Sequence, residues 1–150
     1  MNPEFKIKRF DELSLPELYQ VLQLRSEVFV VEQNCVYQDI DGKDEEALHL
    51  LGIYEGAIVA YCRLFAAGDY FDNASVGRVV ISSGYRDRKW GHDMKHEAIK
   101  AIETFFGTKS ITISAQLYLK KFYESHGFLP YGEQYLEDGI PHIRMERGFI

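Results

Sequence analysis

The sequence predicts an α+β fold, in which helices flank one mixed β-sheet. Two observations favour this class. Strand-like segments alternate with segments of helical apolar spacing, and hairpin-like pairs of strands stand toward both ends of the chain, which a purely parallel sheet would not contain. At 150 residues, with 46% of them hydrophobic, the chain is large enough for one core. We therefore expect residues 1–150 to form a single domain.

The first third of the chain predicts a strand and then a helix. Residues 5–10 alternate apolar and polar side chains, as an edge-side strand does. Ser14 and Glu17 have capping-box spacing, and the apolar stripe that follows them reaches Phe29. Arg25 lies on that stripe. We interpret it as a long side chain that pairs with an acid or extends to the edge of the core, with a substrate-site cation as the alternative.

An acidic segment follows at residues 32–46, with six carboxylates against one lysine. We predict a solvated loop or a broken helix, and the functional alternative is a face that attracts a cationic amine. The Asp-x-Asp-Gly-x-Asp pattern at 39–44 lacks the glycine and glutamate spacing of an EF-hand. We therefore predict no calcium site in this segment.

Turn residues and apolar spacing define the remaining elements. Glu55 and Gly56 join two strands as a hairpin, and Gly107 is a C-cap that ends the longest helix. The predicted strands cover residues 48–54, 58–66, 75–81, 110–115, 131–136 and 143–147, and the predicted helices cover residues 89–106 and 117–125.

Composition disfavours several classes of function. The net charge of −6 argues against a general role on nucleic acid or anionic membranes. The first residues contain no apolar signal core, and no apolar run approaches membrane-spanning length. The two cysteines, Cys35 and Cys62, do not have metal-ligand spacing. We expect a cytoplasmic protein that needs no metal.

The most informative segment is residues 79–92, where an apolar strand leads into the longest helix through a basic loop. Arg86, Arg88 and Lys89 stand just before this helix, whose first N–H groups lack intrahelical partners and favour negative charge. Such a corner is an anion site, most often for phosphate. It contains neither a P-loop nor a G-x-G-x-x-G pattern. A solvated basic surface is the alternative.

Two motifs resemble those of the GNAT superfamily of acyl-CoA-dependent N-acetyltransferases. Residues 86–91 are similar to the family's [QR]-x-x-G-x-[GA] coenzyme A loop, with Lys89 at the position of the middle glycine. Residues 115–128 resemble the family pattern A-x-x-x-x-x-x-F-Y-x-x-x-G-F. Residues 24–33 and 137–145 also look like the ElaA-like group of this superfamily, so the resemblance covers nearly the whole chain.

The resemblance implies a GNAT-like fold, with a splayed, mostly antiparallel central sheet, and acetyl-CoA as the cosubstrate. The strand before the basic loop would pair with the pantetheine arm, and backbone amides of the loop would hold the pyrophosphate. The cofactor-binding residues implied in this way are Val79, Val80, Ile81, Arg86, Asp87, Arg88, Lys89, Trp90 and Gly91.

The resemblance also implies direct transfer of an acetyl group to a primary amine of a small molecule or peptide. Tyr123 would protonate the leaving thiolate, and a core aromatic residue is the alternative. His142 matches a strand histidine that serves as the base in glyphosate-type acetyltransferases, and a structural histidine is the alternative. His49, Glu32 and a chain of waters are reserve bases.

The acceptor is the least specified part of this prediction. The predicted substrate-site residues are Arg25, Glu32, Arg78 and Gln116. Glyphosate-type enzymes bind an acidic substrate through arginines at positions that this chain fills with Val30, Gly77 and Gln116. We therefore expect an amine-rich acceptor, such as a polyamine, an amino sugar or a lysine-like amine, attracted by the acidic segment.

Two other interpretations remain open at this point. A non-catalytic, acyl-CoA-binding regulatory module would keep the basic loop without efficient chemistry. A mixed-sheet domain with a general anion site would show no preference for coenzyme A over ATP or phosphate. A homodimer is also open, because dimers are common in the family that the chain resembles.

Overall fold

A computed structural model describes residues 2–148, which form a seven-stranded sheet with helices on both faces. The strand order is β1-β2-β3-β4-β5-β7-β6, and all neighbouring pairs are antiparallel except β4 and β5. This confirms the predicted mixed, mostly antiparallel sheet. The strands are β1 (Glu4–Arg9), β2 (Leu48–Tyr54), β3 (Ala57–Phe65), β4 (Ala74–Ile81), β5 (Ile111–Gln116), β6 (Leu129–Glu137) and β7 (Ile140–Arg147).

The parallel pair β4–β5 divides the sheet into two halves. These strands pair only at Ala74 with Ile111 and at Ser75 with Thr112, within the described part of the chain, and then they diverge. The first half contains β1 to β4, and the second half contains β5, β7 and β6. The expected splay of the sheet is confirmed, and it leaves a gap between the two halves.

The helices follow the predicted order. Helix α1 (Leu15–Arg25) begins at the capping box, where the Ser14 hydroxyl accepts a hydrogen bond from the Glu17 N–H group. It continues without a break as a π-helical segment, Ser26–Glu32. Helix α2 spans Trp90–Phe106, and a short helix, α3, spans Lys120–Glu124 after a 3₁₀ turn.

Each face of the sheet has its own core. Helix α1 and the π-helical segment bury Val21, Leu24 and Phe29 against Tyr61 and Val80 on one face. On the other face, α2 packs against both halves of the sheet, and its core is larger. Helix α2 thereby holds the two diverging halves together on one side. The opposite side stays open beyond the end of the π-helical segment.

The hairpin between β2 and β3 is confirmed. Glu55 and Gly56 both have positive φ angles, 51° and 82°. This is the backbone of a type I′ turn, whose twist matches that of the flanking strands. Gly107 also has the predicted C-cap conformation, with a φ of 68°.

The prediction of a solvated acidic loop at residues 32–46 is wrong for its central aspartates. Asp39 and Asp44 are buried. Asp39 pairs with Arg25, and Asp44 pairs with both Arg25 and Arg63. Buried charges need partners of opposite sign, and the arginines that supply them lie on α1 and β3. We call Arg25, Arg63, Arg78, Asp39, Asp41 and Asp44 the arginine–aspartate network.

Candidate active site

A cleft of about 590 Å³ opens where β4 and β5 diverge. It is lined from one side by β4, the π-helical segment and the start of α2, and from the other side by β5, β7 and α3. Both motifs that the sequence analysis singled out contribute to it. Arg86 and Lys89 come from the basic loop, and Tyr123 comes from the later motif.

The basic loop has the backbone shape of a glycine-containing corner. Residues Ser83–Arg88 form a 3₁₀ turn, and Lys89 then takes a left-handed conformation with a φ of 62° and a ψ of 21°. Left-handed backbone is easy for glycine and costs other residues about 1–2 kcal/mol. Lys89 therefore keeps the conformation that a glycine would favour, and the first turn of α2 begins directly after it.

The basic side chains of this loop have different surroundings. The Arg86 guanidinium donates to the carboxylate of Glu32 at the end of the π-helical segment, and its Nε donates to the Ile81 carbonyl at 2.9 Å. The Arg88 guanidinium lies 4.9 Å from the centre of the Tyr85 ring and also covers Tyr54 and Trp90. Lys89 has no carboxylate within ion-pair distance in residues 2–148. The loop thus presents one uncommitted ammonium and the N–H groups at the start of α2.

Tyr123 lines the cleft although only 5% of its surface is exposed. Its ring packs edge-on against Phe122 and Phe128, with centroid distances of 5.2 and 5.8 Å. Burial raises the pKa of Tyr123, with a further contribution from Cys62. The phenol is therefore fully protonated at neutral pH, which is the state that a proton donor requires.

His142 lies on β7, beside Gln116 of β5 and Tyr135 of β6. Its Nδ1 lies 2.7 Å from the Ile140 carbonyl, so Nδ1 carries the proton and donates it in the neutral ring. Its Nε2 is then the acceptor nitrogen, and it lies 3.6 Å from a carboxylate oxygen of Glu137. Nδ1 is therefore held by a backbone hydrogen bond, and the lone pair of Nε2 faces the Glu137 carboxylate and the cleft.

A polar cluster surrounds Glu137 on this side of the cleft. The Ser114 hydroxyl donates to Glu137 at 3.0 Å and lies 2.5 Å from the Tyr135 hydroxyl. Ser114, Glu137 and His142 all line the cleft. We call these three residues the β5–β7 cluster.

The predicted substrate-site residues divide into two groups. Glu32, Arg78 and Gln116 line the cleft. Arg78 has a φ of 49° at a bulge in β4, and its Nε lies 2.7 Å from Asp39. Arg25 does not line the cleft, because it is fully buried in the arginine–aspartate network. Its position fits the interpretation of pairing with an acid.

The reserve base His49 is also placed away from the cleft lining. Its ring nitrogens lie 2.6 Å from the Tyr61 hydroxyl and 2.8 Å from the Asp44 carbonyl, so both have partners. Burial lowers the pKa of His49, which fits a neutral ring beneath the arginine–aspartate network.

Three features of the site were not anticipated from the sequence. Glu137 and Ser114 stand 23 residues apart and meet only because β5 and β6 flank β7. Arg63 is a buried arginine on a strand that reads as apolar. Lys95 lies buried, with its Nζ 4.5 Å from the centre of the Tyr123 ring. For Lys95 a signal existed, since Met94 and Ala98 place it within the apolar stripe of α2.

Residues 2–148 contain no group of three histidine, cysteine or acidic side chains that could hold a metal ion. None of the helices in this part of the chain is long and apolar enough to cross a membrane.

Comparison with known proteins identifies the family. Residues 15–149 match the model of the acetyltransferase (GNAT) domain. The chain is 42% identical to protein ElaA of Escherichia coli over 149 residues, which is 98% of this chain and 97% of that protein. The crystal structure of Escherichia coli ElaA superimposes with a TM-score of 0.90 at 41% identity, covering 97% of this chain and 99% of that one.

Two further solved structures share this fold. An acyl-CoA N-acyltransferase from Pseudomonas aeruginosa has a TM-score of 0.90 at 41% identity, over 97% of this chain and 99% of that chain. An aminoglycoside 6′-N-acetyltransferase, solved in complex with coenzyme A, shares the fold with a TM-score of 0.70 at 15% identity, over 95% of this chain and 96% of that one. From the matching domain model and the full-length similarity to ElaA, this chain belongs to the GNAT acetyltransferase family.

Proposed function

We propose that this protein is an acetyl-CoA-dependent N-acetyltransferase that moves an acetyl group directly to a primary amine. One observation carries the proposal. The cleft between β4 and β5 brings the tyrosine of one GNAT motif, the loop of the other and the β7 histidine to one site. The bound coenzyme A of the aminoglycoside acetyltransferase supports the choice of cosubstrate.

The cofactor would bind along the edge of β4 that the splay leaves without a neighbouring strand. Beyond Ser75, this edge has no described partner strand and can hydrogen-bond an amide-containing arm. The pyrophosphate would lie against the backbone amides at the start of α2, with the Lys89 ammonium near it. The residues proposed for cofactor binding are Val79, Val80, Ile81, Arg86, Asp87, Arg88, Lys89, Trp90 and Gly91.

The transfer step would need two proton movements. The amine nitrogen attacks the thioester carbonyl and forms the C–N bond, and the developing oxyanion accepts hydrogen bonds from backbone N–H groups near Val80. The bulge at Arg78 supports this role, because bulges leave ladder groups unpaired. The C–S bond then breaks, and the leaving thiolate takes the proton of the Tyr123 hydroxyl.

The second proton comes from the amine. His142 would accept it at Nε2, because Nδ1 already donates to the Ile140 carbonyl. The Glu137 carboxylate, 3.6 Å from Nε2, would stabilise the imidazolium that forms. The water chain and Glu32 remain the other bases, and Glu32 is paired with Arg86.

The sequence analysis expected the acidic segment 32–46 to attract an amine acceptor, but the structure favours other carboxylates for this role. Asp39, Asp41 and Asp44 are neutralised by arginines, so they do not supply an attractive face. Glu137 and Asp138 line the cleft without a lysine or arginine partner among the described residues. We propose that these two carboxylates attract the acceptor amine.

The test begins with acetyl-CoA binding, measured by calorimetry with ATP as the control. Saturation at a hundred times the dissociation constant stabilises a protein by about 2.7 kcal/mol, so a thermal-shift assay would detect it too. A screen of polyamines, amino sugars and lysine-containing peptides then follows, with release of free thiol as the readout. Tyr123→Phe should lower kcat about 10²–10⁴-fold without weakening acetyl-CoA binding.

Each outcome separates the interpretations. Equal responses to acetyl-CoA and ATP would contradict the proposed cosubstrate and favour a general anion site. Selective binding of acetyl-CoA, with turnover of no amine in the screen, would favour the non-catalytic regulatory module. Unchanged turnover in Tyr123→Phe would remove Tyr123 as the acid, and the same result in His142→Ala would remove His142 as the base.

A further inference from the structure

Lys95 is a buried amine that the proposed reaction does not use. It lies on the core-facing side of α2, between Met94 and Ala98, and 1% of its surface is exposed. Its Nζ has no hydrogen-bond partner among residues 2–148. An unpaired buried polar group is costly, and native structures contain few of them. A leucine or methionine would fill the same space without this cost, so packing alone does not account for a lysine here.

The surroundings of the Lys95 amine are aromatic. Nζ lies 4.5 Å from the centre of the Tyr123 ring and 5.8 Å from the centre of the Phe128 ring. No carboxylate lies within ion-pair distance of Nζ in the described part of the chain. Among the lysine and arginine side chains in residues 2–148, Lys95 is the one that contacts the ring of Tyr123, the proposed acid.

The titratable groups around Lys95 come from two other elements. Cys62 faces it from β3, and burial raises the pKa of that thiol to about 12, so the thiol is neutral. Tyr123 and His126 face it from α3 and the turn after it. Burial lowers the pKa of Lys95 to about 8, and Cys62 opposes that shift slightly. At neutral pH the amine is therefore mostly an ammonium, with no anion to neutralise it.

A cation over the face of a tyrosine ring interacts favourably with the neutral phenol, and it interacts more favourably with the phenolate. The first interaction is with the ring quadrupole. The second adds direct Coulomb attraction, which is strong in a poorly solvated interior. Burial makes the Tyr123 phenolate costly, and Tyr118 adds to this effect. An ammonium at the position of the Lys95 Nζ, 4.5 Å from the ring centre, would act in the opposite direction.

We propose that Lys95 is a positioning residue whose ammonium, held against the ring of Tyr123, stabilises the phenolate that forms during acetyl transfer. The inference rests on the proposed function, since it takes Tyr123 as the acid. The Tyr123 hydroxyl gives its proton to the thiolate of coenzyme A, which becomes the free thiol. The phenolate stays beside the Lys95 ammonium until the proton released by the acceptor amine returns to it through water.

The direct test measures the ionisation of residue 123 without any turnover. A polyfluorinated tyrosine, which ionises at much lower pH than tyrosine, replaces Tyr123. Its ¹⁹F resonance is followed from pH 5 to pH 8, because Lys95 loses its proton above that range. The same titration is made in Lys95→Met, and in Lys100→Met as the matched control, because Lys100 is an exposed lysine on the same helix. A neighbouring opposite charge changes a pKa by about 1–3 units. We expect the midpoint to rise by about one unit or more in Lys95→Met and to stay unchanged in Lys100→Met.

A second measurement separates a catalytic contribution from a structural one. Lys95→Met should have a higher thermal midpoint than the native protein, because it removes an unpaired buried amine. Its kcat should nevertheless fall about tenfold, in proportion to the lost stabilisation of the phenolate, with unchanged KM for acetyl-CoA. Lys95→Leu provides a second neutral variant if methionine does not pack.

The outcomes distinguish this inference from the proposed function. Equal ionisation midpoints in the native protein and Lys95→Met would overturn the inference, even if acetyl transfer is observed. If no amine is acetylated, the proposed function fails, while the ¹⁹F titration still decides whether Lys95 and Tyr123 are coupled. A kcat that stays unchanged in a stabilised Lys95→Met would make Lys95 a purely structural residue.

Discussion

Two charged clusters lie on either side of the cleft, and they differ in how their charges are balanced. In the arginine–aspartate network, three arginines face three aspartates, and Arg25 and Arg63 are almost completely buried. In the β5–β7 cluster, the Glu137 carboxylate is about half exposed and faces a histidine and a hydroxyl. The charges of the first cluster are balanced by one another, whereas the second cluster can accept one more positive charge.

The difference follows from what each cluster connects. The network joins α1 and the 39–44 segment, neither of which pairs in the sheet, to the strands β3 and β4. The β5–β7 cluster lies on strands that backbone pairing already holds in register. Charges therefore maintain the shape on one side of the cleft, and on the other side they are available for chemistry.

The largest expected effect is the loss of the network at low pH. Burial alone would raise the pKa values of Asp41 and Asp44, but hydrogen bonds and charges from Arg63 and Arg25 outweigh it and lower both. A carboxylate with a lowered folded-state pKa stabilises the protein above its unfolded pKa of about 3.9 and loses this contribution as the pH falls further. The free energy of unfolding, measured in urea, should fall gradually from pH 7 to pH 5, because the lowered pKa values of His49 and His126 let the unfolded state bind protons first. It should fall more steeply below pH 4, where the aspartates of the network are protonated. A stability that stays constant down to pH 3 would contradict this account of the network.

The next effect is the removal of one network charge. Asp44→Asn leaves Arg25 and Arg63 short of a carboxylate, and breaking a buried ion pair in this way costs about 3–5 kcal/mol. Glu45→Gln is the matched control, because Glu45 is the exposed neighbour of Asp44. Urea unfolding at pH 7 should separate the two variants clearly. If both lose the same small amount, the network does not hold the fold as described.

A smaller effect, on rate and not on stability, is expected at Glu137. Glu137→Gln removes the charge beside His142, and an exposed pair is worth about 1 kcal/mol, or roughly a fivefold to tenfold change in kcat. Glu133→Gln, on the same exposed strand, serves as the control. The effect should vanish when His142 is already replaced by glutamine. A full effect in that background would mean that Glu137 acts directly on the acceptor amine.

The smallest effect is expected for the ion pair between the π-helical segment and the basic loop. Glu32 and Arg86 are both about 40% exposed, so replacing either should change stability by less than about 1 kcal/mol. The Arg86 hydrogen bond lowers the pKa of Glu32, and salt should weaken the pair. Binding of acetyl-CoA to Glu32→Gln, measured at low and high salt, should converge with native binding at high salt. A large loss of stability in the variant would instead show that this pair stabilises the fold, as the arginine–aspartate network does.

Much of the fold could be predicted because its signals are local. The capping box at Ser14 and Glu17, the turn at Glu55 and Gly56 and the C-cap at Gly107 each depend on a few neighbouring residues. The two GNAT motifs contain Tyr123 and the basic loop, and both line one cleft. The roles of these residues stay predictions.

What could not be predicted depends on contacts between distant residues. Asp39 pairs with an arginine 14 residues earlier and with another 39 residues later, so its local sequence indicates only a polar segment. Lys95 is a related case. Its spacing placed it on the buried face of α2, but a charged residue is ordinarily assigned to the surface, and only the position of α3 shows what it contacts.

The division of the sheet into two halves, where β4 and β5 diverge, affects which residues of the cleft can be substituted. The wall formed by β5, β7 and β6 is held by backbone pairing, and the side chains of its outer strand, β6, are exposed. Substitutions on an exposed wall usually change stability by less than about 0.5 kcal/mol. Under the proposed function, acceptor preference can therefore change through substitutions at positions such as Ser114 and Glu137 while β4 and the arginine–aspartate network remain intact. Exposed positions on β6 can change with little loss of stability, whereas the buried charges of the arginine–aspartate network cannot, so the proposed acceptor side is the part of the cleft that is free to vary.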